Sequence, residues 1–214
     1  MKQHRLLVWC LIPLGILFFH FLYGEQLALA EDSARLQRLA QKAEQAGNYI
    51  KAVPLYLAAE NAAHPKDRLL RARARIDAAR TITMAGAPLE AAEQIDLLLK
   101  PNRQNPLPEN FVAEAKATLA MALYYAAYAM RIETASPRMW QSEIDEAVRL
   151  FRELYLSEIK TPDKPLASLY ARNLEASILL ARTRRAELSS QPFPPATRAA
   201  LEQGVASKKK VQPE

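Results

Sequence analysis

The chain has 214 residues, of which half are apolar and only five are glycine, and its formal net charge is +6. This length suffices for one domain with a sizeable buried core or for a short repeat array. The low glycine content favours long helices. The positive charge permits binding to nucleic acid or to an anionic surface. An export segment at the N-terminus argues against nucleic acid as a partner, because it would carry the chain out of the cytoplasm.

Residues 1–30 have the three parts of a secretory signal. A short basic stretch precedes an uncharged apolar run at residues 6–23, and Ala28 and Ala30 supply the small side chains that a signal peptidase needs at its cleavage site. A run of 18 apolar residues is also close to the length that spans a bilayer. We therefore expect a signal peptide or a transmembrane anchor, with residues 6–23 as the possible membrane tether. Both alternatives predict an exported protein, periplasmic or held by a single membrane pass, with its helical domain outside the cytoplasm.

The part of the chain after the signal offers few of the side chains that catalysis uses. Cys10, His4 and His20 lie in the export segment, so residues 31–214 contain no cysteine and a single histidine, His64. The sequence shows no nucleophile–base pair, glycine-rich phosphate loop or metal-ligand spacing. It therefore predicts no catalytic residues, no metal site, no cofactor and a protein that is not an enzyme. The alternative is a hydrolase or lyase that acts on an envelope polymer through a pair of carboxylates.

Apolar residues recur with helical periodicity from Ser33 to Leu188, and no stretch alternates with the period of a strand. The expected fold class is therefore all-α. Seven helices are predicted, at about 33–46, 49–63, 68–85, 88–100, 109–133, 137–158 and from after Pro165 to about 188. Residues 101–109 form a proline-rich connector. Residues 189–214 are expected to be a largely disordered tail that leaves room for one short helix at 196–203.

The predicted helix boundaries rest on capping residues and helix breakers. The expected N-caps are Ser33 or Asp32 for the first helix, Asp67 for the third and Ser136 for the sixth. Gly47 and Gly86 are expected to end the first and third helices, because glycine tolerates the left-handed conformation that follows a helix. Pro88 and Pro137 are suited to the first turn of the helices that they open.

The two glycines begin similar stretches of sequence. The aligned stretches are Gly47-x-Tyr49-x-x-Ala52-x-x-x-Tyr56-x-x-Ala59 and Gly86-x-Pro88-x-x-Ala91-x-x-x-Ile95-x-x-Leu98. This pattern resembles the tetratricopeptide repeat, in which a glycine turns the chain between helices A and B. The resemblance implies two helix hairpins in residues 31–100, and a further helical hairpin region follows at 110–188. It also implies antiparallel hairpins stacked as a short α-solenoid.

In the tetratricopeptide family the A helices line a concave groove that holds extended peptides. The resemblance places Gln37, Gln41, Glu44, Arg73 and Arg80 on that face. It implies a non-enzymatic adaptor or scaffold of the bacterial envelope with a protein or peptide partner. The two arginines indicate an acidic or C-terminal carboxylate ligand, because guanidinium groups bind carboxylates through paired hydrogen bonds. The alternative is a solvated helix face on which the arginines pair with Asp77.

The remaining aromatic and charged residues are assigned structural roles. The aromatic side chains expected in one core are Tyr124, Tyr125, Tyr128, Trp140, Phe151 and Tyr155. The carboxylates expected on a solvated helix face are Glu143, Asp145, Glu146 and Glu153. His64 is expected to contact the last carbonyl groups of the second helix, and Lys208–Lys210 to keep the tail soluble.

Overall fold

The computed structural model describes residues 28–101, 106–160, 166–190 and 194–203. These residues form nine α-helices and no strand, which confirms the predicted all-α class. In chain order the helices are α1 (residues 28–45), α2 (Tyr49–Ala62), α3 (Arg68–Met84), α4 (Pro88–Leu99), α5 (Glu109–Ile132), α6 (Pro137–Glu158), α7 (Ala167–Arg182), α8 (Arg185–Ser189) and α9 (Pro195–Gln203). The predicted second to sixth helices agree with α2 to α6 to within one residue at each end.

The turns after α1 and α3 have the geometry that their glycines predict. Gly47 and Gly86 have φ values of 74° and 97°, in the region that side chains with a Cβ atom rarely adopt. At the start of α3 the amide of Leu70 donates to Asp67 Oδ1 over 3.0 Å, which confirms Asp67 as the N-cap. The N-cap of α2 is Asn48, whose side chain accepts a hydrogen bond from the amide of the residue three positions later.

The predicted N-cap of the first helix is wrong, whereas the N-cap position predicted for the sixth helix is confirmed. The chain is already helical at residue 28, so Asp32 and Ser33 lie inside α1. The hydroxyl of Ser33 instead donates to the carbonyl oxygen of Ala59 in α2 over 2.8 Å. Ser136 occupies the position before α6, but its side chain makes no capping hydrogen bond. The helix begins there because Pro137, with its fixed φ, fits the first helical position.

The predicted seventh helix is wrong at its C-terminal end. α7 ends at Arg182, and Thr183 has the extended angles φ −67° and ψ 139°. The guanidinium group of Arg131, in α5, donates to the carbonyl oxygen of Leu180 and, over 2.5 Å, to that of Thr183. Carbonyl groups at the end of a helix need such partners. The arginine therefore stabilises a break that helical periodicity did not reveal, and α8 follows it.

The tail predicted at residues 189–214 is helical over part of its length. α9 contacts both α3 and α5, and Ala196 and Thr197 are completely buried. This agrees with the short helix expected at 196–203, whereas the expectation of disorder is wrong for those residues. Residues 204–214 lie outside the described ranges.

Helices that are adjacent in the chain pack against each other from α2 to α7. A second set of contacts joins odd-numbered helices. α3 contacts α5 directly, and an ion pair links α3 to α1. The largest apolar core lies between α3, α4, α5, α6 and α7. Phe151 and Tyr128 are buried in it, while Tyr124, Trp140 and Tyr155 pack against its edge. These positions confirm the predicted aromatic core except at Tyr125, which is only partly buried and does not belong to this cluster.

Candidate partner-binding cleft

One cleft is lined by every second helix of the array. α1, α3, α5 and α7 each contribute side chains, and α2 contributes its first residue. The cleft encloses about 530 Å³, a volume typical of sites that bind a ligand. Its lining consists of Glu44, Tyr49, Arg80, Thr83, Met84, Glu114, Ala117, Thr118, Met121, Tyr125, Leu169, Tyr170 and Asn173. We call this feature the cleft below.

Most of the lining of the cleft is apolar. Met84 lies on α3, Met121 and Tyr125 lie on α5, and Leu169 and Tyr170 lie on α7. The side chain of Leu169 is 40% exposed although it is apolar. Burial raises the pKa of Tyr125 and Tyr170 above the ordinary value of 10.0, so their hydroxyl groups stay neutral and able to donate hydrogen bonds. The cleft therefore presents flexible and aromatic apolar side chains, with few polar groups that fix orientation.

The acidic and basic groups at the α1–α3 side of the cleft are engaged with one another. The hydroxyl of Tyr56 donates to Glu44 Oε2 over 2.8 Å. Arg80 Nε lies 3.5 Å from Glu44 Oε1, and Arg80 Nη2 lies 3.1 Å from Asp77 Oδ1. The ion pair between Arg80 and Asp77 is the one that the alternative of a charge-paired helix face describes. An acidic ligand would have to compete with both carboxylates for the same guanidinium group.

The second arginine of the predicted groove is also paired. Arg73 forms a close ion pair with Glu114 of α5, and its guanidinium carbon lies 5.0 Å from the centre of the Phe111 ring. A cation at that distance is attracted by the face of the ring. Arg73 is absent from the cleft lining itself, whereas its partner Glu114 forms part of it. The arginine thus joins α3 to α5 beside the cleft.

Asp77 is the most deeply buried charged residue of this group, with only 6% of its surface exposed. Burial raises the pKa of its carboxyl group above the ordinary value of 3.8, although the positive charges of Arg80 and Arg73 act in the opposite direction. Burial disfavours the charged form of an acid, because the protein interior solvates charge less well than water. The ion pair with Asp77 holds one end of the Arg80 guanidinium group, while 49% of the Arg80 side chain stays exposed.

The structure brings together two of the five predicted groove residues. Glu44 and Arg80 line the cleft, and Arg73 lies next to it. Gln41 is exposed but does not line it. The side-chain nitrogen Nε2 of Gln37 is buried and has no hydrogen-bond partner among the described residues. The N-terminal part of α1 is thus further from the cleft than the repeat alignment predicts.

Sequence reasoning missed the contribution of α5 and α7 because the repeat resemblance ends at residue 100. One signal was present in the spacing of Glu114, Thr118, Met121 and Tyr125, which recur every three or four residues. Such spacing places side chains on a single face of a helix. Because that face carries both polar and apolar side chains, the sequence alone did not show that it lines a cleft and is separate from the core face of α5.

The ionisable residues on the outer face of α6 form surface ion pairs. Arg149 contacts Glu146 and Glu153, and Lys116 contacts Glu153 as well. His64 accepts a hydrogen bond at Nδ1 from the amide of Lys66 over 3.2 Å. It therefore caps the following turn, and the predicted contact with helix carbonyl groups is wrong. Within the described ranges, no group of three His, Cys, Asp or Glu side chains is arranged to hold a metal ion.

Comparison with known proteins gives no matching family model, no matching curated protein and no matching solved structure. The tetratricopeptide resemblance therefore stays a prediction. The predicted membrane tether at residues 6–23 lies outside the described residues, while Ala28 and Ala30 form part of α1. No helix within residues 28–101, 106–160, 166–190 and 194–203 is long and apolar enough to cross a membrane.

Proposed function

We propose that this protein is a non-enzymatic, extracytoplasmic adaptor of tetratricopeptide-like construction that holds an extended segment of a protein partner in the cleft. The observation that carries the proposal is the lining of a single cleft by α1, α3, α5 and α7. Every second helix of the array thus faces the same space. In the tetratricopeptide family the A helices line the groove in this way. The cleft lining includes α5 and α7, which lie beyond the residues that carry the sequence resemblance.

The cleft favours a partner segment with apolar side chains over an acidic one. Arg73 and Arg80 are each engaged by carboxylates of the protein itself. A ligand carboxylate would gain a guanidinium contact only by displacing an existing one. The methionine side chains are flexible enough to adapt to apolar groups, and buried apolar area is the main source of binding energy at such sites. The partner is therefore proposed to insert aliphatic or aromatic residues between α5 and α7.

A carboxylate-based hydrolase gains no support from the same cleft. Its two glutamates, Glu44 and Glu114, each join neighbouring helices through an ion pair with an arginine. Glu44 also accepts a hydrogen bond from the hydroxyl group of Tyr56. These contacts give both glutamates a structural role. Binding is therefore the function that we propose for the cleft.

A peptide-display experiment with matched variants tests this proposal. The full chain is used to select peptides from a random library, and their dissociation constants are measured by fluorescence anisotropy. Leu169→Asp introduces a charge into the cleft, and Leu179→Asp makes the same change on α7 at a site outside the lining that is 64% exposed. Selected peptides should be rich in apolar residues, and Leu169→Asp should weaken their binding at least tenfold while Leu179→Asp leaves it unchanged. Equal binding to both variants would refute the assignment of the cleft.

A further inference from the structure

A second pocket lies at the opposite end of α3 from the cleft and is rich in basic side chains. It encloses about 480 Å³ and is lined by Glu60, Pro65, Lys66, Arg68, Arg71, Ala72, Arg75 and Leu98. We call it the basic pocket. The three arginines are spaced by three and four residues, which places them on one face of α3. Arg73 and Arg80, the two arginines of the predicted groove, belong to a different face.

One buried carboxylate organises two of these arginines. Glu60, at the end of α2, is only 6% exposed. Arg75 donates to it from Nε over 3.1 Å and makes a second, closer contact through Nη2, so the pair is bidentate. Arg71 Nη2 lies 3.9 Å from the same carboxylate. Arg75 is therefore held in place by Glu60, whereas Arg71 keeps most of its donors available.

The pocket retains positive charge that its own acids do not balance. Lys66, Arg68, Arg71 and Arg75 carry four positive charges, against the two negative charges of Glu60 and of the neighbouring N-cap Asp67. In addition, Arg68 Nη1 is buried and has no hydrogen-bond partner among the residues that the structure describes. Buried donors normally have a partner. An anion with several acceptor oxygens would supply both the hydrogen-bond acceptors and the negative charge that these side chains lack.

The basic pocket lies near the N-terminal part of α1. The hydrogen bond from Ser33 to Ala59 places the beginning of α1 beside the end of α2, one residue from Glu60. In the sequence, residues 24–27 lie between the apolar run at 6–23 and residue 28, the first described residue of α1. Five backbone steps of at most about 3.6 Å bridge this interval. If the run is anchored in a membrane, the basic pocket lies close to the lipid headgroups.

We propose that Lys66, Arg68 and Arg71 bind the phosphate group of an anionic lipid on the outer face of the membrane that residues 6–23 enter. Guanidinium groups recognise phosphate oxygens through paired hydrogen bonds, and basic side chains beside a membrane anchor are attracted to anionic headgroups. The lipid contact orients the array so that the cleft, which involves the other end of α3, points away from the bilayer. This inference rests on the proposed extracytoplasmic location and on the retention of residues 6–23 as a membrane anchor, and it does not depend on the cleft.

The test compares lipids and inorganic phosphate on the full chain in neutral detergent micelles. The chain is titrated with a short-chain phosphatidylglycerol, a short-chain phosphatidylcholine and inorganic phosphate, and the NMR shifts of the Lys66 and Leu70 amides give dissociation constants. The double variant Arg68→Gln/Arg71→Gln removes the proposed ligands, and Arg172→Gln/Arg182→Gln removes two exposed arginines of α7 as a matched control. Phosphatidylglycerol should bind the wild type and the control equally, and the Arg68→Gln/Arg71→Gln variant at least tenfold more weakly.

Several outcomes would overturn the proposal. They are an absence of phosphatidylglycerol binding, an unchanged affinity in the Arg68→Gln/Arg71→Gln variant, and an equal loss in the α7 control. Inorganic phosphate that binds as tightly as phosphatidylglycerol would assign the pocket to a soluble anion instead of a lipid. If the double variant does not fold by circular dichroism, Arg71→Lys replaces it. This change keeps the charge but removes the planar donor pair, so it should still weaken binding.

Discussion

Between α1, α2 and α3 the helices approach one another mainly over alanines, whereas the core between α5, α6 and α7 combines alanines with several large side chains. Ala40, Ala52 and Ala78 surround Tyr56 in the first region, and Phe151 is packed among leucine, isoleucine and tyrosine side chains in the second. Alanines allow close approach but bury little apolar area each. The first region therefore depends more on its polar links, and the second depends on the volume of its core side chains.

The largest effect is expected from shortening the central side chain of the second region. Phe151 is 1% exposed, and Phe151→Ala should lower the free energy of unfolding by about 3–5 kcal/mol, because it removes apolar contacts and leaves a cavity. Urea unfolding followed by circular dichroism measures the change. The matched control is Phe111→Ala, a phenylalanine at the edge of the same core, which should cost distinctly less. Equal losses would show that the core is not centred on α6.

A smaller effect is expected from the polar link in the first region. Tyr56→Phe removes the hydroxyl that donates to Glu44 and keeps the ring, which is fully buried. A hydrogen bond to a charged group contributes about 1.5–3 kcal/mol, and the loss should fall in that range. The double variant Tyr56→Phe/Glu44→Ala should be less destabilised than the sum of the two single variants, because both single variants remove the same bond. Strict additivity in urea unfolding would contradict the link.

Substitutions at Gly47, in the turn between α1 and α2, should change stability through the backbone conformation alone. Gly47 has φ 74°, and an added Cβ atom there would have no neighbour within 4 Å. Gly47→Ala should therefore cost about 1–2 kcal/mol through the left-handed conformation and not through a clash. Gly47→Asn should cost less, because asparagine tolerates this conformation better. Thermal unfolding of the three proteins checks the order, and an alanine variant as stable as the asparagine variant would contradict the explanation.

The features that the sequence predicted well are local ones. Helix ends at Gly47, Asp67 and Pro88 follow from the chemistry of single residues and of the next turn. The break after Arg182 was not predictable in this way, because its stabilising partner, Arg131, is distant in sequence. The tail helix α9 is held by contacts with α3 and α5, and short helices of its length are unstable without such packing.

The same distinction between local features and contacts distant in sequence explains which parts of the candidate sites were predictable. The spacing of Arg73 and Arg80 on α3 was visible in the sequence, but their engagement by Glu44 and Glu114 is a property of neighbouring helices. Likewise, Arg68 and Arg71 were part of the same arginine-rich stretch, and only the position of Glu60 distinguishes their pocket from an ordinary solvated face. Helical periodicity gives the face on which a residue lies. It does not give the partners that the face meets.

The smallest expected effect is a change in the pH dependence of stability at Asp77. Burial raises the pKa of this carboxyl group in the folded protein above 3.8, so at pH values just above 3.8 the folded state binds more protons than the unfolded state. Stability then falls as pH rises through this window, because its slope follows the difference in bound protons, unfolded minus folded. Asp77→Asn removes this contribution. The unfolding free energy of the wild type minus that of Asp77→Asn should therefore decrease as pH is raised from 3.8, and become constant above the folded pKa.

Urea unfolding at half-unit pH steps measures this difference, and Asp96→Asn, at an exposed aspartate of α4, is the matched control. The control should show no such decrease. A difference for Asp77 that increases with pH would mean that attraction by Arg80 outweighs burial, since the folded pKa would then lie below the unfolded one. In that case Arg80 would hold Asp77 as a strong ion pair, and the α1–α3 region would be stabilised by charge as well as by hydrogen bonding. The sign of one slope thus decides how the polar region is held together.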